Sequence, residues 1–331
     1  MNAMSIKMIC SSLLLILSPF LFSCSDDDGD QPGDNNSKSL SDAEHIATFP
    51  ASHPLNEDVS TKNVDANSSV ILNNIGLSVG LFPDFGSGTY EGKPIGIPYT
   101  VVSEKQTATP ITYRANDYDG NYGDESDEGP FPIPPDAPIE GNGEGDSHVI
   151  SVDVDNGMLY ELYNASRSSN GWEASSGAVF YLNQIEYRPA TWTSADAAGL
   201  PIFPLLVRHP EIEENGEIDH AIRFTLPKSK IYGGYVHPAR HKVSDLTGNE
   251  LLPFGAKLRL KADYDISGYS ETNQAILQAM KKYGLILADV GSSMFISGAP
   301  HEEWDNDDLK GLRNVKVSDF EVVEMGEVKT Y

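Results

Sequence analysis

Three acidic side chains differ from most of the 49 in the chain because apolar or small residues surround them: Glu161, Asp196 and Asp289. Burial among such neighbours raises the pKa of a carboxyl group. Hydrolysis of a glycosidic bond uses two carboxyl groups, about 5–5.5 Å apart for retention or about 6.5–9.5 Å for inversion. We predict that these three residues are catalytic. The alternative is structural: a cap near residues 203–209 for Asp196, a solvated strand position for Glu161, and a turn for Asp289.

Basic residues cluster between positions 208 and 241 of this otherwise acidic chain: Arg208, His209, His220, Arg223, His237, Arg240 and His241. Such a cluster would attract an anionic substrate. In a polysaccharide lyase, Arg or His neutralises a uronate while His or Tyr abstracts the neighbouring proton. We therefore predict catalytic roles for His220, Arg223 and His241, and substrate binding by Arg208. The alternative for His220 is a core histidine that is hydrogen-bonded through both ring nitrogens.

Four oxygen donors surround Gly120 in a loose version of a calcium loop: Asp117, Asp119, Asn121 and Asp124. The loop lacks the sixth-position Gly and the terminal Glu of an EF-hand. Calcium is the predicted cofactor, and a solvated acidic loop is the alternative. Zinc is a weaker candidate, because His237 and His241 could bind it only from a shared helix face.

Trp172 and Trp192 lie near Gly, Asn or Thr, which predicts loop positions for both. Exposed aromatic rings would provide flat stacking surfaces for sugars, so we predict that both bind substrate. The alternative is that they form the half-buried rim of a β-sheet core.

The first 23 residues are typical of a lipoprotein signal peptide. Lys7 precedes an apolar run at 13–22 that is too short to span a bilayer, and LFSC at 21–24 resembles a lipobox. Cys24 is therefore the predicted lipidation site. The acidic run at 25–30 resembles the export signal of surface lipoproteins of the Bacteroides phylum, with a solvated linker as the alternative. We expect a protein anchored by acyl chains such as palmitate in the outer membrane and facing the cell exterior.

Charge and cysteine content exclude several classes of function. Removal of Lys7 with the signal changes the formal charge from −26 to −27, which argues against nucleic acid and anionic lipid head groups as partners. Cys10 leaves with the signal and Cys24 carries lipid, so no disulfide is expected. The chain has no Gly-x-Ser-x-Gly elbow and no phosphate-binding loop, which disfavours nucleotide chemistry.

The remaining sequence predicts an acidic tether over 24–42 and a single β-rich globular domain over 43–331. Residues 116–147 form a long, Pro- and Gly-rich loop, which is usual for a functional segment or a boundary. Strands are predicted at 148–163 (a hairpin), 177–183, 218–226, 256–263, 285–290, 294–297 and 319–324. The strands at 285–290 and 294–297 are predicted to form a second hairpin. Helices are predicted at 271–283, 203–209 and 304–313.

The hairpin at 148–163 has two possible registers. A two-residue turn at Asn156 and Gly157 would pair Val152 with Glu161. A three-residue loop would pair Val152 with Tyr160, which creates one wholly apolar face. We favour the second register because hydrophobic patterning selects register. It places Glu161 and Asp153 together on the more polar face.

Several segments together resemble a family of uncharacterised secreted bacterial proteins: FPDFG (82–86), PIGIPY (94–99), PIPPDAPIE (132–140), WTSADAAGLP (192–201), HAIRFT (220–225) and PARH (238–241). The resemblance covers roughly residues 50–325 and implies one globular unit, without an activity or catalytic residues. Such sequences carry Asn where this chain has Val290.

These features predict a mainly β fold of the β-rich α+β class, with a sandwich or jelly-roll-like core and two or three peripheral helices. The predicted function is that of a cell-surface lipoprotein acting on an extracellular polysaccharide or oligosaccharide, as a hydrolase or a lyase. Two alternatives stay open: a glycan-binding protein without catalytic activity, and a calcium-stabilised structural or adhesion protein. The expected partners are the glycan and, through Cys24, the membrane.

Overall fold

The computed structural model describes Ala43 and residues 48–115 and 122–331. The predicted signal peptide, Cys24, the tether over 24–42, and Asp117, Asp119 and Asn121 of the predicted calcium loop lie outside the described residues. All of the described residues belong to one compact unit.

The fold confirms the β-rich α+β class. The strands, in chain order, are β1 (Phe82–Asp84), β2 (Thr89–Tyr90), β3 (Lys93–Pro94), β4 (Thr100–Val102), β5 (Ile111–Tyr113), β6 (Val149–Asp153), β7 (Met158–Tyr163), β8 (Ser166–Ser168), β9 (Gly171–Ala174), β10 (Ser176–Tyr181), β11 (Ile222–Leu226), β12 (Ile231–Tyr235), β13 (Leu252–Phe254), β14 (Lys257–Leu260), β15 (Leu285–Val290), β16 (Phe295–Ser297) and β17 (Phe320–Val322).

Two larger sheets contribute to one hydrophobic core, as in a sandwich. The six-stranded sheet has the order β1-β16-β11-β15-β14-β17, and the four-stranded sheet has the order β10-β7-β6-β4. Ile150 and Phe180 of the smaller sheet belong to the same buried cluster as Phe224 and Leu287 of the larger one. Both sheets mix parallel and antiparallel pairs, whereas a jelly roll is antiparallel throughout.

The predicted hairpin between 285–290 and 294–297 is wrong. β11 lies between β15 and β16, pairing parallel with the first and antiparallel with the second. All five residues of β11 are buried, so this strand occupies the interior of the sheet and needs a partner on each side. A turn signal such as Gly291 to Ser293 marks where the chain reverses, but it does not show whether a distant strand inserts between the two arms.

Both predicted registers of the hairpin at 148–163 are also wrong. β6 and β7 pair Asp153 with Met158 and Ile150 with Glu161, around a four-residue turn. The Asp153 carboxylate accepts hydrogen bonds from the backbone N–H groups of residues 155 and 156, which stabilises this longer turn. Asp153 and Glu161 therefore lie on opposite faces. Apolar clusters cover both faces of the sheet, so no single apolar face selects the register.

Four α-helices surround the sheets in the described part of the chain: α1 (Ser68–Ile75), α2 (His209–Asn215), α3 (Glu271–Lys282) and α4 (Asn306–Leu309). The prediction for α3 is confirmed, and the Ser270 hydroxyl accepts the N-cap hydrogen bond from the Asn273 N–H. The segment predicted as helix 203–209 instead forms a 3-10 turn, Phe203–Leu205, before α2 begins. The sequence reasoning missed α1. None of the helices in the described residues has the length and apolar character needed to cross a membrane.

Candidate active site

A cleft of about 920 Å³ lies against the six-stranded sheet. Its walls come from β1, β16, β11 and β15, from residues 140–148, and from the segment around α4. Its size is near the upper end of the range for ligand-binding pockets. The lining combines aromatic rings with ionisable groups: Phe82, Phe85, Tyr90, Phe295, Asp84, Glu140, Asp146, His148, Arg223 and Asp289.

The strand register brings three polar side chains of the cleft into one row. Asp84 on β1 lies opposite Ser297 on β16. On the other side of β16, the Arg223 guanidinium of β11 donates a hydrogen bond of 2.6 Å to the Ser297 hydroxyl. Because directly opposed residues project from the same face of a sheet, all three side chains face the cleft.

A β-bulge gives Asp289 its orientation. Phe224 pairs with Leu287, but the next residue, Thr225, pairs with Asp289, so Ala288 is an extra residue in β15. Regular alternation from Ile286, the partner of Arg223, would direct Asp289 to the opposite face. The bulge brings the Asp289 carboxyl group onto the face that carries Arg223, a function that bulges often have beside active sites.

Arg223 joins two of the predicted carboxylates. Its Nε and Nη2 donate to Asp196 at 2.7 and 3.0 Å, and Nη2 also donates to Asp289 at 2.7 Å. Asp196 is fully buried, whereas Asp289 lines the cleft. Burial and the Asp196 carboxylate raise the pKa of Asp289 well above its usual range, although Arg223 acts in the opposite direction. These surroundings favour the protonated form of Asp289, which is the carboxyl group of this network that lines the cleft.

Asp84 is a second acidic group in the cleft with a perturbed pKa. It is open to solvent within the cleft, yet protein atoms surround its other sides. Burial, followed by the field of Glu140, raises the pKa of Asp84, and Arg223 opposes the shift. The cleft therefore holds two carboxyl groups with raised pKa values, of which Asp84 is the more exposed.

An ion pair between Glu140 and His148 lines the cleft. His148 Nδ1 lies 2.6 Å from Glu140 Oε2, and Nε2 lies 3.0 Å from the Ala195 carbonyl oxygen. Both ring nitrogens face acceptors, so the imidazole is doubly protonated. Burial alone would lower the pKa of His148, but the Glu140 carboxylate raises it to about 9. Burial alone would raise the pKa of Glu140, but His148 outweighs this effect, and the pKa of Glu140 is lowered.

Sequence reasoning missed Asp84, Glu140, Asp146 and His148. Glu140 and His148 flank the Gly-rich end of the long loop that was expected to be functional or a boundary. Two ionisable residues at the ends of such a loop are the signal that could have identified this part of the site.

Glu161 does not line the cleft. Its fully buried carboxylate accepts hydrogen bonds from the backbone N–H groups of Ile202 and Phe203 at 2.8 and 2.9 Å, where the 3-10 turn Phe203–Leu205 begins. Burial raises the pKa of Glu161 to about 7, although these two backbone hydrogen bonds lower it. The geometry assigns Glu161 a capping role.

His220 and Arg208 also lie away from the cleft, in a buried network with Glu211. His220 Nδ1 lies 2.8 Å from the Ala221 carbonyl oxygen, and Nε2 lies 3.0 Å from Glu211. Arg208 forms an ion pair of 3.1 Å with the same carboxylate. His220 thus has the geometry of the core-histidine alternative.

The other predicted residues are dispersed. His241 is partly buried, 2.9 Å from the Ala197 carbonyl oxygen, and burial lowers its pKa. Trp172 is fully buried in the smaller core cluster and has no surface on which a sugar could stack. Trp192 is half-buried, with the Arg188 guanidinium 5.5 Å from its ring centroid. Asp124 is exposed in the 3-10 turn Gly123–Glu125.

Residues 237–241 do not form a helix, so His237 and His241 do not share the helix face that the zinc hypothesis requires. A different group outside the cleft offers three metal-ligand atoms within 4.8 Å of one another: His209, His301 and Glu303.

Comparisons of the chain with known protein families, curated proteins and solved structures found no match.

Proposed function

We propose that the protein hydrolyses a glycosidic bond of an extracellular polysaccharide, with Asp289 as the general acid and Asp84 as the second carboxyl group. The observation that carries this proposal is the place of Asp289 on the cleft wall, 2.7 Å from Arg223, in surroundings that raise its pKa. A general acid must hold a proton at the working pH and must reach the bound substrate. Asp289 meets the first condition through its raised pKa and the second through its place in the cleft.

In this mechanism Asp289 donates its proton to the leaving oxygen of the glycosidic bond. The Asp84 carboxylate, on the other side of the bond, activates the attacking water. As Asp289 loses its proton, the new negative charge lies 2.7 Å from Arg223 Nη2, which stabilises it. Arg223 is held in place for this role by Asp196 and Ser297.

The placement of the two carboxyl groups does not suit the close pair that retention requires. Asp84 is on β1 and Asp289 on β15, with β16 and β11 between them. Three strand spacings separate the two backbones by about 14 Å. The proposed mechanism is therefore the inverting one, whose two carboxyl groups stand farther apart than the about 5–5.5 Å of a retaining enzyme.

The remaining cleft residues fit a carbohydrate. Tyr90 is 71% exposed at the cleft, and an exposed aromatic ring offers an apolar face to a sugar ring. Phe82 and Phe295 stack on each other in the wall, with a centroid distance of 4.2 Å. The predicted lipid on Cys24 would hold the cleft at the outer surface, where polysaccharide is available.

A product screen tests the proposal. The purified protein is incubated with neutral and uronic polysaccharides, and new reducing ends and the absorbance of unsaturated uronates are measured. We expect reducing ends without this absorbance, lost in Asp289→Asn and Asp84→Asn. Asp263→Asn is the matched control, because Asp263 is exposed and outside the cleft.

Two results would overturn the proposal. Unsaturated products would indicate a lyase, in which a base abstracts a proton and no water is added. No products on the whole panel, together with retardation on one glycan in an affinity gel, would indicate a binding protein without catalytic activity.

A further inference from the structure

We propose that His209, His301 and Glu303 form a binding site for a zinc-type transition-metal ion, separate from the cleft, and that Glu213 beside His209 is the fourth ligand. The proposal does not depend on the hydrolytic activity. His209 is the first residue of α2, and Glu213 lies one helical turn later on the same face. His301 and Glu303 come from the segment between β16 and α4.

The unusual group in this cluster is the Nδ1 atom of His209. It is buried and has no hydrogen-bond partner among the described residues. The carboxylate oxygens of Glu213 and Glu303 each lie 3.8 Å from it, beyond hydrogen-bond distance. A buried ring nitrogen near two carboxylates is a donor atom that a metal ion could bind.

The distances suit a shared ion. Metal–ligand bonds of about 2.0–2.1 Å in a tetrahedral zinc site place neighbouring ligand atoms about 3.4 Å apart. The two separations of 3.8 Å close to this value by rotations of the Glu213 and Glu303 side chains, which are 61% and 56% exposed. Their exposure also provides a path for the ion from solvent.

His301 supplies the second imidazole. Its ring stacks face to face on His209, with centroids 4.5 Å apart and planes 3° apart. The lone pair of an imidazole nitrogen lies in the ring plane, so the partly exposed His301 ring would rotate to share an ion with His209. Two imidazoles and two carboxylates are donors that zinc accepts, whereas calcium and magnesium prefer oxygen ligands alone. The site would therefore discriminate between these ions.

One side of the site is closed by Trp304. Its ring meets His209 edge-on at 4.8 Å and packs against Phe85, which lines the cleft. A bound ion would join α2 to the segment that carries this contact. We therefore expect zinc to stabilise the folded protein, because an ion that binds only the native state adds to its stability.

The test is zinc binding by the untagged full-length protein after removal of metal with a chelator. We measure the melting temperature and the calorimetric titration with zinc chloride, and the visible absorbance after addition of cobalt. The expected result is one zinc ion per chain, a higher melting temperature, and an absorbance typical of tetrahedral cobalt. Magnesium and calcium should give none of these.

The His301→Ala variant should weaken zinc binding at least tenfold, and Glu303→Gln should weaken it less. His237→Ala is the matched control, because His237 is a surface histidine outside the cluster. The proposal fails if the parent protein binds no zinc at micromolar concentration. It also fails if His301→Ala binds zinc as tightly as His237→Ala. The cobalt spectrum of the parent protein tests the site even if a variant does not fold.

Discussion

Replacement of Glu161 by Gln should change how the stability of the protein depends on pH. Burial raises the pKa of Glu161 from 4.5 to about 7. Between these values the folded state binds more protons than the unfolded state, so this group's contribution to stability is complete below pH 4.5 and is lost as pH rises through 7. A shift of about 2.5 pKa units corresponds to about 3.4 kcal/mol, of which about 2.5 kcal/mol falls between pH 5 and pH 8.

The Gln side chain keeps one oxygen that can accept the N–H groups of Ile202 and Phe203, which now both bond Oε1 of Glu161. Its neutral amide removes the titration. We therefore expect the free energy of unfolding of Glu161→Gln to rise relative to the parent by about 2.5 kcal/mol from pH 5 to pH 8.

Urea unfolding of the parent, Glu161→Gln and Glu173→Gln at several pH values measures this difference. Glu173 is an exposed glutamate of β9, and its replacement should leave the pH dependence unchanged. Curves of the parent and Glu161→Gln that stay parallel would refute the reasoning. A loss of hydrolytic activity of a hundredfold or more without a change in the pH dependence would restore Glu161 as a catalytic residue.

Three other predictions follow from the site and the core. Asp289→Asn should lower kcat on the cleaved polysaccharide at least a hundredfold in a reducing-end assay, and NMR of the first product should show inversion at the anomeric carbon. The pKa of His148 is raised from 6.5 to about 9, so the free energy of unfolding of the parent protein should fall by about 2.5 kcal/mol between pH 7 and pH 10. Urea titration measures this fall, which should be absent in His148→Gln. Trp172→Ala should lower the free energy of unfolding by about 3–5 kcal/mol in the same titration, because it leaves a cavity in the core. The glycan affinity of the folded variant should stay unchanged in gel retardation.

The sequence predicted those elements whose signals are local. α3 has its cap, its apolar stripe and its terminal Gly within one segment, and it forms where it was expected. β15 was predicted with the same bounds as observed. The order of the strands was not predictable in this way, because β11 enters between β15 and β16 from about 60 residues earlier in the chain.

The candidate site was predicted in part, and from two unrelated arguments. Asp196 and Asp289 were chosen as isolated acids and Arg223 as part of a basic cluster, and the structure joins them in one network. Glu161 was chosen by the same reasoning as Asp196, and its neighbours in sequence are equally apolar. What separates the two is the register of β7, which directs Glu161 towards the backbone of Ile202.

The balance of charge around the cleft explains why its chemistry is assigned to Asp84 and Asp289. Each buried cation there has one principal buried carboxylate: Arg223 has Asp196, and His148 has Glu140. In these two pairs the charge of each cation is already balanced by one carboxylate, and Asp289 shares the guanidinium charge of Arg223 with Asp196. A carboxyl group in such surroundings reduces its free energy by keeping its proton, which is why the pKa values of Asp84 and Asp289 are raised. The pairs that stabilise the fold thereby favour the protonated form of Asp289, the proposed acid, and make the carboxylate of the more exposed Asp84 a stronger base.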